Sequence, residues 1–155
     1  MKIVLRRGPG CVIGDVDGRP LLNRDERLFI GEQPVRPSNL GEALVDAVDE
    51  AATRVFGPVW VKKLGVVAGL GLRRCQRDRI KRFGLPPLVL EILGAAAAHD
   101  NPRALGDFMM GVARVYNADS NNAPACGPQQ EAEELGARAR NYVATLRTEL
   151  RRRSG

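Results

Sequence analysis

A run of basic side chains between positions 62 and 82 is the densest group of chemically active residues in this sequence. It holds eight positive residues and one negative residue, Asp78. Guanidinium and ammonium groups bind phosphate oxygens, while arginine reads guanine edges and glutamine reads adenine edges in the major groove of DNA. The run therefore predicts a surface for a polyanion. The residues that we expect to bind duplex DNA are Lys62, Lys63, Arg73, Arg74, Gln76, Arg77, Lys81 and Arg82.

The second half of this run has the spacing of one amphipathic helix, predicted from position 72 to position 83 and closed by Gly84. At about 100° per residue, the inner face of this helix consists of Leu72, Cys75, Ile80 and Phe83. The outward face carries three cations, which are Arg74, Arg77 and Lys81. Arg79 falls near the inner face, where its charge needs a partner such as Glu91 or must reach outward to solvent.

Residues 61 to 84 together have the pattern of a helix, a glycine turn and a second helix, with Gly65 in the first helix and Gly69 at the turn. This stretch of 24 residues resembles the helix-turn-helix of bacterial DNA-binding proteins. The resemblance implies that the second helix enters the major groove. The pattern departs at Asp78, where the family has an apolar residue, and a longer turn would bring Ile80 into that place. The alternative is an amphipathic helix with a solvated cationic side.

Two carboxylates end an apolar strand in an Asp-Val-Asp-Gly string at positions 15 to 18. The string resembles the first motif of the haloacid-dehalogenase phosphatases, and the resemblance implies Asp15 as nucleophile and Asp17 as acid and base. Arg19 stands where that family has Thr or Val, and a helical sequence follows in place of parallel strands. We therefore expect Asp17 and Gly18 to form a hairpin turn and both carboxylates to be structural.

The remaining polar residues predict no catalytic, metal or cofactor site. An EF-hand loop is excluded because the position that requires glycine holds Pro20. The chain has a single histidine, His99, and three cysteines without a Cys-x-x-Cys pair, so a zinc site is not expected. Cys126 and His99 are a conceivable nucleophilic pair, but nothing in the sequence brings them together.

The composition is that of one globular domain. The chain has 155 residues, 44% of them hydrophobic and 27% charged, and a net charge of +6. No apolar run reaches the roughly 18 residues of a membrane span. The odd number of cysteines favours a reducing compartment. We therefore expect a soluble, basic, cytoplasmic protein with no membrane contact.

The secondary-structure signals divide the chain into four parts. Strand and turn signals are confined to 1–37, and helical periodicity extends over 38–117, with the helix-turn-helix-like unit at 58–84. A loop is expected at 118–128, followed by a last helix and a basic tail at 129–155. The predicted fold is mainly α: a small N-terminal β-hairpin segment, then a bundle of about six helices with a helix-turn-helix-like centre.

The last predicted helix has an apolar side that must be covered. Its members are Leu135, Ala139, Tyr142, Val143, Leu146 and Leu150. The helix can fold back on the core of its own chain or pair with a copy of itself. A homodimer through this helix would present two basic helices to successive turns of the duplex, about 34 Å apart.

The function predicted from these features is non-catalytic DNA binding, in a transcriptional regulator of the prokaryotic or phage type. The alternative is a protein–protein interaction module, such as an adaptor, an antagonist or a phage structural component, whose basic face meets an acidic partner. A third hypothesis is a phosphatase-like hydrolase that uses Asp15 and Asp17. No cofactor is expected for the favoured function.

Overall fold

The computed structural model describes residues 1–118 and 127–154. The chain divides into two compact units, Met1–Met110 and Gly111–Gly155. The described residues form five strands followed by six α-helices, which confirms a mainly α protein with a small β segment at its N-terminus. Most of the predicted 118–128 loop, including Cys126, lies outside the described residues.

The N-terminal segment is one antiparallel sheet, in which each strand pairs with the next along the chain. Its strands are β1 (Ile3–Leu5), β2 (Val12–Val16), β3 (Arg19–Arg24), β4 (Arg27–Ile30) and β5 (Gln33–Val35). The predicted turn at Asp17 and Gly18 is confirmed, because both residues have positive φ and Val16 pairs with Arg19 across it.

The helical part contains, in the described residues, six α-helices and one 3₁₀ turn at Leu72–Cys75. The helices are α1 (Pro37–Phe56), α2 (Trp60–Ala68), α3 (Arg77–Phe83), α4 (Pro87–Ala97), α5 (Pro102–Ala118) and α6 (Pro128–Ser154). Proline stands in the first turn of α1 and α4, where its missing N–H costs no hydrogen bond. None of these helices combines the length and the apolar character needed to cross a membrane.

Helix α1 is the central element of the first unit. It contacts β1, α2, α3 and α4, and its Leu44, Val48 and Val55 are fully buried. Helix α4 also contacts β1, β2 and β3. The sheet therefore contributes Ile13 and Leu21 to the same apolar cluster. This cluster fixes α1 in place, and α1 in turn positions the basic segment.

Helix α5 lies against the end of α1 at Gly106. A Cβ atom at this position would lie 2.1 Å from the carbonyl oxygen of Val55, a distance that no side chain tolerates. The absence of a side chain at Gly106 therefore sets how closely the start of α5 can lie against the end of α1.

Candidate nucleic-acid interface

The basic run extends over α2, the 3₁₀ turn and α3. Helix α2 ends at Gly69, whose left-handed conformation lets its N–H bond to the carbonyl of Gly65. Gly65 lies against the backbone that leads from α2 into the 3₁₀ turn. A Cβ atom at Gly65 would come within 3.1 Å of the Leu70 carbonyl oxygen. Both glycines thus shape the connection between α2 and the basic residues that follow.

The prediction of one continuous helix from Leu72 to Phe83 is wrong. The chain is extended at Gln76, where ψ is 144°, and this residue separates the 3₁₀ turn from α3. Cys75 and Ile80 are both fully buried, as expected. Five residues apart on one helix, they would point roughly 140° away from each other. The break at Gln76 allows both side chains to enter the core.

The two apolar residues at the ends of segment 72–83 are exposed and not buried. Leu72 and Phe83 were expected on the inner face, but 55% of Leu72 and 65% of Phe83 is exposed. Segment 72–83 therefore exposes two large apolar side chains as well as its cations.

The helix-turn-helix-like centre is not confirmed by the arrangement of these elements. Helix α3 contacts α1 and the 3₁₀ turn, and α2 contacts the same two elements. The seven residues of α3 are also few for a helix that must lie in a groove. The resemblance of residues 61–84 to the family therefore remains a resemblance in sequence.

Two of the three cations expected on the outward face are held by carboxylates of α1. Nη2 of Arg77 lies 2.6 Å from Oδ1 of Asp49, and Nζ of Lys81 lies 2.7 Å from Oε2 of Glu42. Asp49 also accepts a hydrogen bond of 2.7 Å from Nε1 of the buried Trp60. Arg77 and Lys81 are solvent-accessible, but a nearby negative charge offsets each of them for an approaching phosphate.

Two further cations of the run have structural contacts. Nζ of Lys63 donates a hydrogen bond of 3.0 Å to the carbonyl of Phe56, the last residue of α1, where the helix dipole favours a positive charge. The guanidinium of Arg79 lies 4.9 Å from the ring centroid of Phe83, within the range of a cation–π contact. Of the two possibilities expected for Arg79, an ion pair with Glu91 does not occur among the described residues, and the charge lies against an aromatic ring.

Four cations of the run remain available. They are exposed and make no ion pair within residues 1–118 and 127–154: Lys62, Arg73, Arg74 and Arg82. Gln76, the predicted adenine-reading residue, is exposed as well. We refer to these five polar residues, together with Leu72 and Phe83, as the basic surface.

The carboxylates at positions 15 and 17 are occupied by local contacts. Asp15 forms an ion pair with Arg6, and this pair raises the pKa of the Arg6 guanidinium. Oδ1 of Asp17 accepts a hydrogen bond of 2.7 Å from the backbone N–H of Lys2. Asp15 lies in β2 and Asp17 lies in the turn that follows it, within an antiparallel sheet. The resemblance to the phosphatases implies a parallel sheet instead.

The other candidate groups are dispersed. The part of the chain that the structure describes contains no group of three or more His, Cys, Asp or Glu residues arranged to hold a metal ion. Nδ1 of His99 accepts a hydrogen bond of 3.1 Å from the backbone N–H of Asn101. Cys75 is buried, and burial raises the pKa of its thiol, whereas Cys11 is exposed.

The sequence did not predict an apolar cleft of about 120 Å³ in the first unit. Its walls come from α1, α2, α4 and α5 and include Leu64, Leu88, Ile92 and Met109. Leu88 and Ile92 are about half exposed. The spacing of four residues between Leu88 and Ile92 could have indicated a second apolar face on α4. Nearly every residue of α4 is apolar, so this spacing does not stand out in the sequence.

Comparison of the chain with protein-family models, with curated proteins and with solved structures finds no match. The proposal of a function therefore depends on the geometry of the described residues.

Proposed function

We propose that this protein binds duplex DNA without catalysing a reaction, as a transcriptional regulator of the prokaryotic or phage type, and that the basic surface is its DNA-binding face. The observation that carries this proposal is the group of four exposed cations without ion pairs: Lys62, Arg73, Arg74 and Arg82. Each of them has the charge and the freedom to contact a phosphate oxygen.

The ion pairs divide the predicted DNA-binding residues into two groups. Lys62, Arg73, Arg74 and Arg82 make the main phosphate contacts. Arg77 and Lys81 contribute less, because Asp49 and Glu42 must either release them or stay close to the DNA backbone. Lys63 has a structural role at the end of α1. Base recognition is then left to Gln76 and to whichever arginine of the 3₁₀ turn faces a groove.

The proposal includes a homodimer through α6. A short contact surface gains affinity when a two-fold dimer doubles it on successive turns of the duplex. The large apolar side chains of α6 give this dimer its interface.

A specific observation favours a second candidate, a protein–protein interaction module with the same face. Leu72 and Phe83 are more than half exposed, and Arg79 stacks on Phe83. Aromatic rings and arginines carry most of the energy in protein interfaces, whereas a phosphate backbone needs no apolar contact. An acidic protein with an apolar patch is the partner that would fit this face.

Salt-dependent binding to a random duplex tests the main proposal. Each phosphate contact contributes about 0.9 unit to the slope of log affinity against log salt concentration. A variant with Arg73→Ala, Arg74→Ala and Arg82→Ala is therefore expected to flatten the slope by about two to three units per chain, measured by fluorescence anisotropy.

The matched control removes three exposed arginines from the sheet segment, with Arg7→Ala, Arg19→Ala and Arg27→Ala. It changes the net charge equally and is expected to leave most of the slope intact. Equal effects of the two variants, or no binding by the parent protein at low salt, contradict the DNA proposal.

The two candidate functions respond differently to the apolar residues. A variant with Leu72→Ser and Phe83→Ser keeps every cation, so the DNA proposal predicts an affinity for duplex within a few-fold of the parent. A loss of affinity beyond tenfold would favour the protein-interaction function, since it assigns the binding energy to these side chains.

A further inference from the structure

Helix α6 carries a row of exposed apolar side chains along its length. The helix has 27 residues and is therefore about 40 Å long at 1.5 Å per residue. Its exposed apolar residues are Leu135, Ala139, Tyr142, Val143, Leu146 and Leu150. They recur every three to four residues, so they share one side of the helix, which we call the α6 stripe.

The spacing of the α6 stripe is the same in both directions. From Leu135 to Leu150, the successive intervals are four, three, one, three and four residues. The midpoint lies between Tyr142 and Val143. Two such helices in antiparallel orientation, related by a two-fold axis at this midpoint, place Leu135 against Leu150 of the second copy and Ala139 against Leu146. Every apolar residue then meets an apolar residue.

The charges of α6 are also segregated along its length. The first ten residues carry Glu131, Glu133 and Glu134 and no positive residue. The last six residues, 149–154, carry Arg151, Arg152 and Arg153 against one acid, Glu149, whose Oε1 lies 3.4 Å from Nη2 of Arg152. An antiparallel pair sets the acidic end of each helix beside the basic end of the other. A parallel pair in register sets like charges side by side, which destabilises it.

The arginines in the middle of the helix do not select an orientation. Arg138, Arg140 and Arg147 flank the α6 stripe. In the antiparallel pair, Arg138 is level with Arg147 of the second copy. In a parallel pair each arginine is level with the same arginine of the second copy, so both orientations bring like charges together. The ends of the helix therefore decide the orientation.

We propose that α6 pairs with α6 of a second copy of this chain in antiparallel orientation, about a two-fold axis between Tyr142 and Val143. This inference rests on the homodimer in the proposed function but not on the DNA contacts. Glu133 and Glu134 of one copy lie beside Arg151 and Arg152 of the other, and the contact is isologous.

Charge reversal of the intact chain tests the orientation. A variant with Glu133→Arg and Glu134→Arg brings like charges together in the antiparallel pair, and so does a variant with Arg151→Glu and Arg152→Glu. Each is expected to raise the dimer dissociation constant by about tenfold or more in sedimentation equilibrium, because two attractive contacts per copy become repulsive. The chain with all four substitutions is expected to regain the parental constant within a few-fold.

In a parallel pair the same variants only exchange one like-charge contact for another. A dimer that is insensitive to them, or a failure of the four substitutions to restore dimerisation, overturns the inference. All four positions are on an exposed helix, and far-UV circular dichroism checks that each variant keeps its helical content. A parent protein that is monomeric at the highest concentration reached also overturns it.

Disulfide trapping gives a second measurement that does not depend on charge. In a background with Cys11→Ser and Cys126→Ser, two variants are mixed: Leu135→Cys and Leu150→Cys. Mild oxidation is expected to yield mainly the mixed disulfide, because these positions face each other only in the antiparallel pair. A majority of like-with-like disulfides, or a dimer without the mixed disulfide, overturns the inference. DNA binding is measured separately, so its failure leaves this result standing.

Discussion

Asp49 is the residue that connects the basic surface to the core. Its Oδ1 atom lies 2.7 Å from Nε1 of Trp60, which is almost fully buried, and 2.6 Å from Nη2 of the exposed Arg77. The first contact satisfies an indole N–H that water does not reach, and the second fixes a cation at the edge of the surface. One carboxylate oxygen thus serves both stability and the charge of the candidate interface.

Substitution of Asp49 is expected to separate these two roles. Asp49→Asn keeps an acceptor for the indole and removes the charge that holds Arg77, so stability falls by less than about 1 kcal/mol. Asp49→Ala leaves the indole N–H without its acceptor and is expected to cost about 1–3 kcal/mol in urea unfolding. In the same Asn variant, Arg77 becomes available and the salt slope of DNA binding steepens by up to about one unit.

Glu32→Gln is the control for this experiment. It removes the same charge from an exposed ion pair with Arg24 in the sheet segment. We expect it to leave both the slope and the stability nearly unchanged, since exposed pairs contribute little. If Asp49→Asn and Glu32→Gln alter DNA binding equally, Arg77 has no contact with the duplex.

At the scale of elements, periodic patterns were sufficient where the apolar side chains of a segment share one face of a single regular helix or strand. The hairpin turn at Asp17 and the helices α1, α2, α4, α5 and α6 follow from local residue types, and the structure contains them. The prediction for segment 72–83 was wrong because Cys75 and Ile80 are both buried, and one continuous helix cannot direct both side chains into the core. A helical wheel assumes a single direction, so it cannot predict a break at an ordinary residue such as Gln76.

The sequence also could not predict which distant residues form ion pairs. Arg77 and Asp49 are 28 positions apart and belong to two helices whose packing depends on the whole core. The wheel placed Arg77 and Lys81 outward, and they are accessible, but their carboxylate partners on α1 become visible only in the fold. Of the predicted site, the cationic character could be read from the sequence, whereas the division into paired and available cations could not.

Helix α5 offers a test of packing between elements, because two of its glycines have opposite surroundings. A Cβ at Gly106 would lie 2.1 Å from the Val55 carbonyl oxygen, whereas a Cβ at Gly111 would meet nothing within 4 Å. Gly106→Ala is therefore expected to destabilise the protein by about 1–3 kcal/mol through overpacking. Gly111→Ala is expected to stabilise it by about 0.5–1 kcal/mol, because alanine is the better helix former.

Thermal unfolding followed by circular dichroism measures both effects on the same helix. Opposite signs for the two variants are the expected result. If Gly106→Ala were neutral, α5 would not lie against the end of α1 as the structure shows.

At the scale of the whole molecule, the buried core and the proposed dimer helix belong to different parts of the chain. The main apolar cluster of the described residues extends from Ile3 to Ala97, and the partly buried side chains against it reach no further than Met110. The basic surface lies within the same span. We therefore expect the first unit to fold, and to bind through the basic surface, without the residues beyond α5.

A chain that ends at Ala118 tests this separation. We expect it to unfold cooperatively, with a free energy of unfolding within about 1 kcal/mol of the value for the same unit in the full chain, because no member of the main cluster is removed. It is expected to be monomeric and to bind duplex DNA more weakly, since the second copy no longer adds its contacts. Its salt slope per chain is expected to retain the part due to Arg73, Arg74 and Arg82. Urea unfolding, sedimentation equilibrium and fluorescence anisotropy measure the three quantities. A shortened chain that fails to fold would show that α6 completes the core, and one that remains dimeric would place the dimer interface in the first unit.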